Sequence, residues 1–277
     1  MTTTSQTDTP WQAKDWFIYA ELAKRMDERL LLIKKQPEHI LLVGADFNES
    51  PQRLSQRYPD ARLSIFDPRA EFLANSQANH QKQQSMWQKL TKKSLPHTQQ
   101  TLEQPLPLAS ADFVWSNLAL YQAADPVAVF PQWSDALKKE GLLFFSTFGP
   151  DTLQEIVAYL AKHDIVLESK RLWDMHDLGD MMFYNGFNEP VMDMEKMNLS
   201  YQSAASFWRD YHILQAQNLF DQDISANSSI KSLIDQGFYQ GELNQITLEV
   251  VYGHGLKKIT LPDQQSVVNF YPKRPEA

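Results

Sequence analysis

Apolar residues recur at spacings of three and four through Trp16, Ala20, Ala23, Met26, Leu30 and Ile33, which predicts a helix over 11–35 that Pro37 ends. Short apolar runs at 39–44, 61–66, 112–116 and 142–147 predict four buried strands. Helices are predicted between and after them, over 49–58, 69–80, 125–139 and 151–162, the last with Asp151 as its cap and Gln154 three residues on. From Ile40 to Lys162 the chain therefore alternates strand and helix, the pattern of a parallel sheet covered on both faces.

The last third reads differently. A short helix over 177–184 precedes Asn185-Gly186, and an imperfectly alternating strand follows over 191–201. Helices are predicted over 204–217 and 229–236, and a last strand over 246–256. Two late strands can close an α/β sheet as an antiparallel hairpin with a helical insert. The expected organisation is a tail and helix over 1–37, an α/β core over 38–201, an insert over 202–242, a strand over 243–260 closing the same domain, and a tail over 261–277. The polar stretch 81–107 reads as surface, part helix and part connection, and its Lys82, Lys89, Lys92 and Lys93 as solvated charge.

Composition narrows the classes. The 277 residues carry 26 Lys+Arg against 34 Asp+Glu, a net charge of −8, which argues against a general nucleic-acid binder. There is no cysteine, so disulfides, thiolate nucleophiles and cysteine metal sites are excluded. The first ten residues have neither a basic start nor an apolar stretch, and no run nears the ~18 apolar residues of a membrane span. A cytoplasmic protein without membrane association is the expectation. Glycine numbers only 9, with none between Gly44 and Gly141, so a phosphate loop built of several glycines is excluded from that half.

In an open α/β sheet ligands bind beyond the carboxyl ends of the strands. Those ends are Val43-Gly44-Ala45-Asp46, Phe66-Asp67-Pro68, Trp115-Ser116-Asn117-Leu118 and Ser146-Thr147-Phe148-Gly149. Asp67 ends the second strand about 20 residues past the first turn, a place suited to accepting both hydroxyls of a ribose. An Asp before Pro also starts turns, so the structural reading stands beside the functional one. His176 lies between Asp174 and Asp177, but the remaining histidines show no ligand spacing and no metal is expected. Trp115, Trp133 and Trp208 read as core or rim aromatics.

Three stretches carry a resemblance: Asp112-Phe-Val-Trp-Ser-Asn-Leu-Ala-Leu120, Gly141-Leu-Leu-Phe-Phe-Ser-Thr-Phe-Gly-Pro-Asp-Thr-Leu153, and Asp174-Met-His-Asp-Leu-Gly-Asp180 with Gly186-Phe187 and Pro190-Val-Met-Asp-Met-Glu195. They are similar to the class I S-adenosylmethionine (SAM) dependent methyltransferases, and within them to the biotin-pathway malonyl-[acyl-carrier protein] O-methyltransferases. The resemblance implies a Rossmann-like α/β fold with a seven-stranded sheet whose last strand is antiparallel. It implies SAM as cofactor and an acyl-carrier protein or malonyl-CoA as the thioester partner. It places Gly44, Asp46, Asp67, Ser116 and Asn117 at the cofactor, with Tyr19 of the N-terminal helix over it. It sets no oligomeric state.

The glycine motif departs from the family pattern. On Ile40-Leu-Leu-Val-Gly-Ala-Asp-Phe-Asn48 only Gly44 is kept; Leu42 holds the acidic place, and Asp46 and Asn48 the other two glycine places. Side chains there fill the space that glycines leave for the methionine end of SAM. Asp and Asn tolerate left-handed backbone, so the turn itself can persist, and Asp46 is placed to partner an ammonium or sulfonium. Glu103 stands near the family's adenine-side acid but out of register with Leu106-Pro107. Methyl transfer to a carboxylate needs no general base, and no catalytic motif stands out. Three functions follow: O-methylation of a malonyl thioester, a methyltransferase-like protein that has lost SAM catalysis and serves binding, assembly or regulation, or an ordinary methyltransferase with another small-molecule acceptor. An acidic carrier meeting a chain of net charge −8 requires a local basic patch, for which Lys82–Lys93, Lys34-Lys35 and Lys257-Lys258 are candidates.

Overall fold

A computed structural model describes residues 12–83, 95–169 and 172–259. The apolar run His39–Val43 is β1, followed by helix α2 (Glu49–Arg57), with α1 (Phe17–Arg29) before it. Strand β2 (Arg62–Asp67), helix α3 (Ala70–Gln83), β3 (His97–Gln99), β4 (Ala111–Asn117), α4 (Pro126–Ala136) and β5 (Leu137–Phe148) come next. Then α5 (Gln154–Ala161), α6 (Met175–Tyr184), β6 (Phe187–Ser200), α7 (Ala204–Ile213), α8 (Ser228–Gln240) and β7 (Gln245–Lys257) complete the order.

The strands form one seven-stranded sheet in the order β3-β2-β1-β4-β5-β7-β6. Strands β1 to β5 pair in parallel, and β7 is antiparallel to both neighbours. This is the expected fold, with the late hairpin β6–β7 carrying α7 and α8 between its strands. Alternation along each strand sorts the core into two layers. Leu42, Phe113, Trp115 and Phe144 face α1, α2, α5, α7 and α8, whereas Leu41, Val114, Leu143 and Phe145 face α4 and α6.

Several boundaries differ from the sequence reading. The first helix stops at Arg29 and tightens into a 3-10 turn, Leu30–Leu32. Helix α4 stops at Ala136 because Leu137 is already extended and paired with Ala111. The chain then doubles at Glu140-Gly141, where a Cβ on Gly141 would lie 2.8 Å from the Leu137 Cβ. Strand β6 begins at Phe187, before Pro190, and a register shift between Asn188 and Val191 absorbs the proline. The polar strand β3 has no counterpart among the elements that the pattern predicts. Lys89, Lys92 and Lys93 lie outside the described residues.

Candidate functional site

The carboxyl ends of β1, β2, β4 and β5 converge beside the turn 44–48. Gly44 has φ +103°, and an added Cβ would lie 2.8 Å from the Ala119 Cβ, so this position requires glycine. Its amide donates to the Phe66 carbonyl (2.8 Å). The turn does persist without the other glycines, but the left-handed residues are Phe47 (φ 59°) and Asn48 (φ 74°), not Asp46. For Asn that backbone is common; for an aromatic residue it is strained.

Asp46 is 1% exposed, its carboxylate buried against the start of α2 and the end of β4. Its carboxylate accepts from the Ser50 amide (3.1 Å), the Ser50 hydroxyl (2.5 Å) and the Asn117 amide (2.8 Å), and so holds the start of α2. The Trp115 indole donates to the same Ser50 hydroxyl (2.8 Å). Asn117 gives its second N–H to the Tyr19 carbonyl (3.0 Å), tying α1 to the crevice, and its carbonyl accepts from Ser146 (3.2 Å). Burial pushes the Asp46 carboxyl up, opposed by the bonds from Ser50 and Asn117. Three donors of the fold thus converge on the carboxylate that the sequence places toward a cationic ligand group.

Asp67 is fully buried. Its two oxygens receive four donors: the Ala45 amide (2.7 Å), the Arg69 amide (2.7 Å), Arg69 Nε (2.8 Å) and Arg69 Nη2 (2.6 Å). A carboxylate offers about four acceptor positions, so none remains. Burial works against the Arg69 charge, but Asp67 outweighs it and holds the guanidinium protonated, its pKa raised. The guanidinium carbon sits over Phe72, 3.6 Å from the ring centre, and the group reaches the Tyr19 hydroxyl (3.4 Å).

Aromatic side chains fill the space between this pair and the turn. Trp16 is fully buried, stacks on Phe47 (5.1 Å, 15°) and meets Phe72 edge-on (4.8 Å). Tyr19, also fully buried, tilts against Trp16 (5.3 Å). Helix α3 closes the other side, with Asn79 donating to the Phe47 carbonyl (2.6 Å) and the Asn48 amide donating to Gln83 (2.8 Å). Among the described residues, two buried atoms on these walls lack hydrogen-bond partners, Asn48 Oδ1 and Ser76 Oγ.

The remaining candidates separate. Ser116 is buried on the opposite face from Asn117, its hydroxyl without a partner among the described residues. Glu103 accepts from the Ala124 amide (2.7 Å) and guards the start of α4. Asp174 caps α6 through the His176 and Asp177 amides (2.7 and 2.9 Å). In the 148–153 stretch, Glu249 accepts from the Asp151 amide (2.7 Å) and Thr152 donates to the Glu249 carbonyl (3.0 Å). Lys35 donates to the Glu140 carbonyl and Lys257 to that of Leu137 (2.9 Å), at the start of β5. The pairs Lys34-Lys35 and Lys257-Lys258 thus stand at the end of the sheet away from the crevice.

A family model described as "Methyltransferase domain" matches residues 41–145, which include Gly44, Asp46, Asp67 and Asn117 of this crevice. The malonyl-[acyl-carrier protein] O-methyltransferase of Gallionella capsiferriformans is 36% identical, covering 86% of this chain and 83% of its own. That of Methylovorus sp. is 34% identical, covering 91% and 88%. The chain belongs to the malonyl-[acyl-carrier protein] O-methyltransferase family. Among solved structures, the YcgJ protein from Bacillus subtilis aligns with a TM-score of 0.57 at 14% identity, covering 87% of this chain and 99% of its own, a likeness of fold. The cofactor of this methyltransferase family is SAM. The crevice as its residues lie here does not fit it: Asp67, the carboxylate expected to meet a ribose, is saturated, and Trp16, Phe47 and Phe72 take the adjoining space.

Proposed function

We propose that this chain methylates the free carboxylate of a malonyl thioester, presented on an acyl-carrier protein or on coenzyme A, in biotin synthesis. The observation that carries this reading is kinship along nearly the whole length of both chains, at 34–36% identity. The acceptor is already an anion, so the chain's own residues need only orient it and exclude water. That agrees with a crevice whose described carboxylates, Asp46 and Asp67, are both bonded to donors of the fold itself. With Lys34-Lys35 and Lys257-Lys258 at the far end, the basic-patch candidate among the described residues is Lys82, in the last turn of α3 next to Gln83, which accepts from the Asn48 amide.

The test is transfer of radiolabelled methyl from SAM to malonyl-acyl-carrier protein by the purified chain. Base-labile label on the carrier above a protein-free control supports the reading; its absence with folded protein overturns it. The Asp67–Arg69 pair favours a second reading, a family member that keeps the fold and binds a partner instead of the cofactor. That reading predicts no label.

A further inference from the structure

We infer that Arg69 is a built-in competitor for the cofactor's ribose: its guanidinium takes, on Asp67, the two-donor place of a ribose diol, and a nucleoside binds only by exchange with it. The inference rests on the family reading, that an adenosine cofactor is what the crevice takes.

Donor geometry supports it. Two of the four donors on Asp67 are backbone amides, Ala45 and Arg69, and stay in place as the chain is folded. The other two belong to one side chain. Arg69 Nε meets one carboxylate oxygen at 2.8 Å and Nη2 meets the other at 2.6 Å. Withdrawing that fork frees one acceptor position on each oxygen, which is the pattern a vicinal diol needs. The guanidinium is a planar plate over the Phe72 ring, so it also covers an aromatic face.

The walls point the same way. Phe47 adopts a positive φ to set its ring against Trp16, a conformation that its type disfavours. Ser76 lies on α3 one turn after Phe72 and three residues before Asn79, and its buried hydroxyl has no partner among the described residues. The Asn48 side-chain oxygen is likewise buried and unmet. Buried polar groups are normally satisfied. A closed crevice that leaves acceptors unmet on two walls is one in which a polar ligand would find partners once the fork and the Trp16–Phe47 stack move aside. Arg69 also donates to the Tyr19 hydroxyl at 3.4 Å, so the same exchange removes a tie between the guanidinium and α1.

The experiment is calorimetric titration of the full chain with S-adenosylhomocysteine, comparing wild type, Arg69→Ala, and Arg69→Ala with Asp67→Asn. Removing the competitor raises the competent fraction, so Arg69→Ala should bind about tenfold or more tightly than wild type. The double variant should lose that gain. Adenosine should share the gain and 2′,3′-dideoxyadenosine should not, because it has no diol. Removing Arg69 strands a buried carboxylate, so Arg69→Lys and Trp16→Ala, each checked by circular dichroism, carry the test where Arg69→Ala does not fold. A folded Arg69→Ala binding no more tightly than wild type overturns the proposal, as does an equal gain for the dideoxy compound. Methyl-transfer assays separate the two readings. Tighter binding without methylation by any variant keeps the competitor and sinks the enzyme; methylation by wild type with unchanged affinity in Arg69→Ala does the reverse.

Discussion

Replacing Asp210 by Asn should make the chain more stable at neutral pH, and by an amount that depends on pH. Asp210 sits on α7, only 8% exposed, and accepts from the Tyr201 hydroxyl at 2.7 Å. It borders a cavity of about 10 Å³, room for about one water, lined also by Phe148, Leu153, Phe207 and Tyr211. Burial pushes its carboxyl up to about 6 from 3.8, with Asp15 adding to the rise and Tyr201 and Arg209 opposing it. A carboxyl whose folded pKa exceeds its unfolded value binds its proton more tightly when native. Its contribution is whole below the unfolded value and is lost as pH rises through the folded one. That rise is worth about 3 kcal/mol, of which about 2 kcal/mol falls between about pH 4.5 and 7.5. Asn keeps an oxygen for Tyr201 and carries no charge. Urea unfolding of both proteins across that range should show the Asn variant gaining about 2 kcal/mol on wild type as pH rises. A difference that stays flat to within about 0.5 kcal/mol would refute the claim that this carboxyl is held from water.

Two further substitutions test the turn and the β5 loop. Gly44→Ala sets a Cβ 2.8 Å from that of Ala119 at φ +103°. A left-handed L-residue alone costs about 1–2 kcal/mol, so with the clash the melting temperature should fall by about 5 °C or more. In Gly149→Ala the new Cβ lies 2.6 Å from the Glu249 carboxyl carbon and displaces the group that holds the Asp151 amide. Because both changes break one latch, Gly149→Ala with Glu249→Ala should be less destabilised than the sum of the singles, by about 0.5 kcal/mol or more in a double-mutant cycle.

Hydrophobic patterning is enough to find six of the strands and their helical partners, because inner strands buried on both faces write themselves as apolar runs, while the largely exposed edge strand β6 shows only an imperfect alternation. The seventh, His97-Thr98-Gln99, is three polar residues long; it is a strand because β2 offers Ile65–Asp67 as an edge, which no local pattern records. The site is half legible. The strand-end rule and the family register bring Gly44, Asp46, Asp67, Asn117 and Tyr19 to one crevice, and the structure gathers them there. Their partners are not legible. Asp46 turns inward because Ser50 and Asn117 offer three donors, and that depends on the angle at which α2 leaves the turn. Trp16 belongs by its spacing to the apolar face of the first helix, but that it meets Phe47 and Phe72 follows from where α1 packs. One local signal bears on the site without a motif: an Arg two residues after Asp67 can fold back on it.

The intact family stretches and the altered turn bear on different questions. Each conspicuous residue of the intact stretches has a structural role. Gly149 lies under Glu249, Leu153 takes a left-handed backbone to donate to Thr247, Asp174 caps α6, and Gly186 has φ +98° against the Ser134 side chain. Those roles would be the same whether or not a methyl group is ever transferred, so the stretches report the fold and the lineage. Activity turns on the small region where the family's glycines are replaced, and there one equilibrium decides it. If Asp67 prefers a ribose to Arg69, the plug is a door and the enzyme works by opening it. If it prefers Arg69, the plug is permanent and the same fold keeps its strongest contacts for itself. A charged, two-bond pair buried in low dielectric is hard for a neutral diol to displace unless the released guanidinium reaches water. Arg69 starts the path outward, since its neighbours Pro68 and Ala70 are only partly covered or exposed, so exchange is physically open and its equilibrium constant is the quantity to measure.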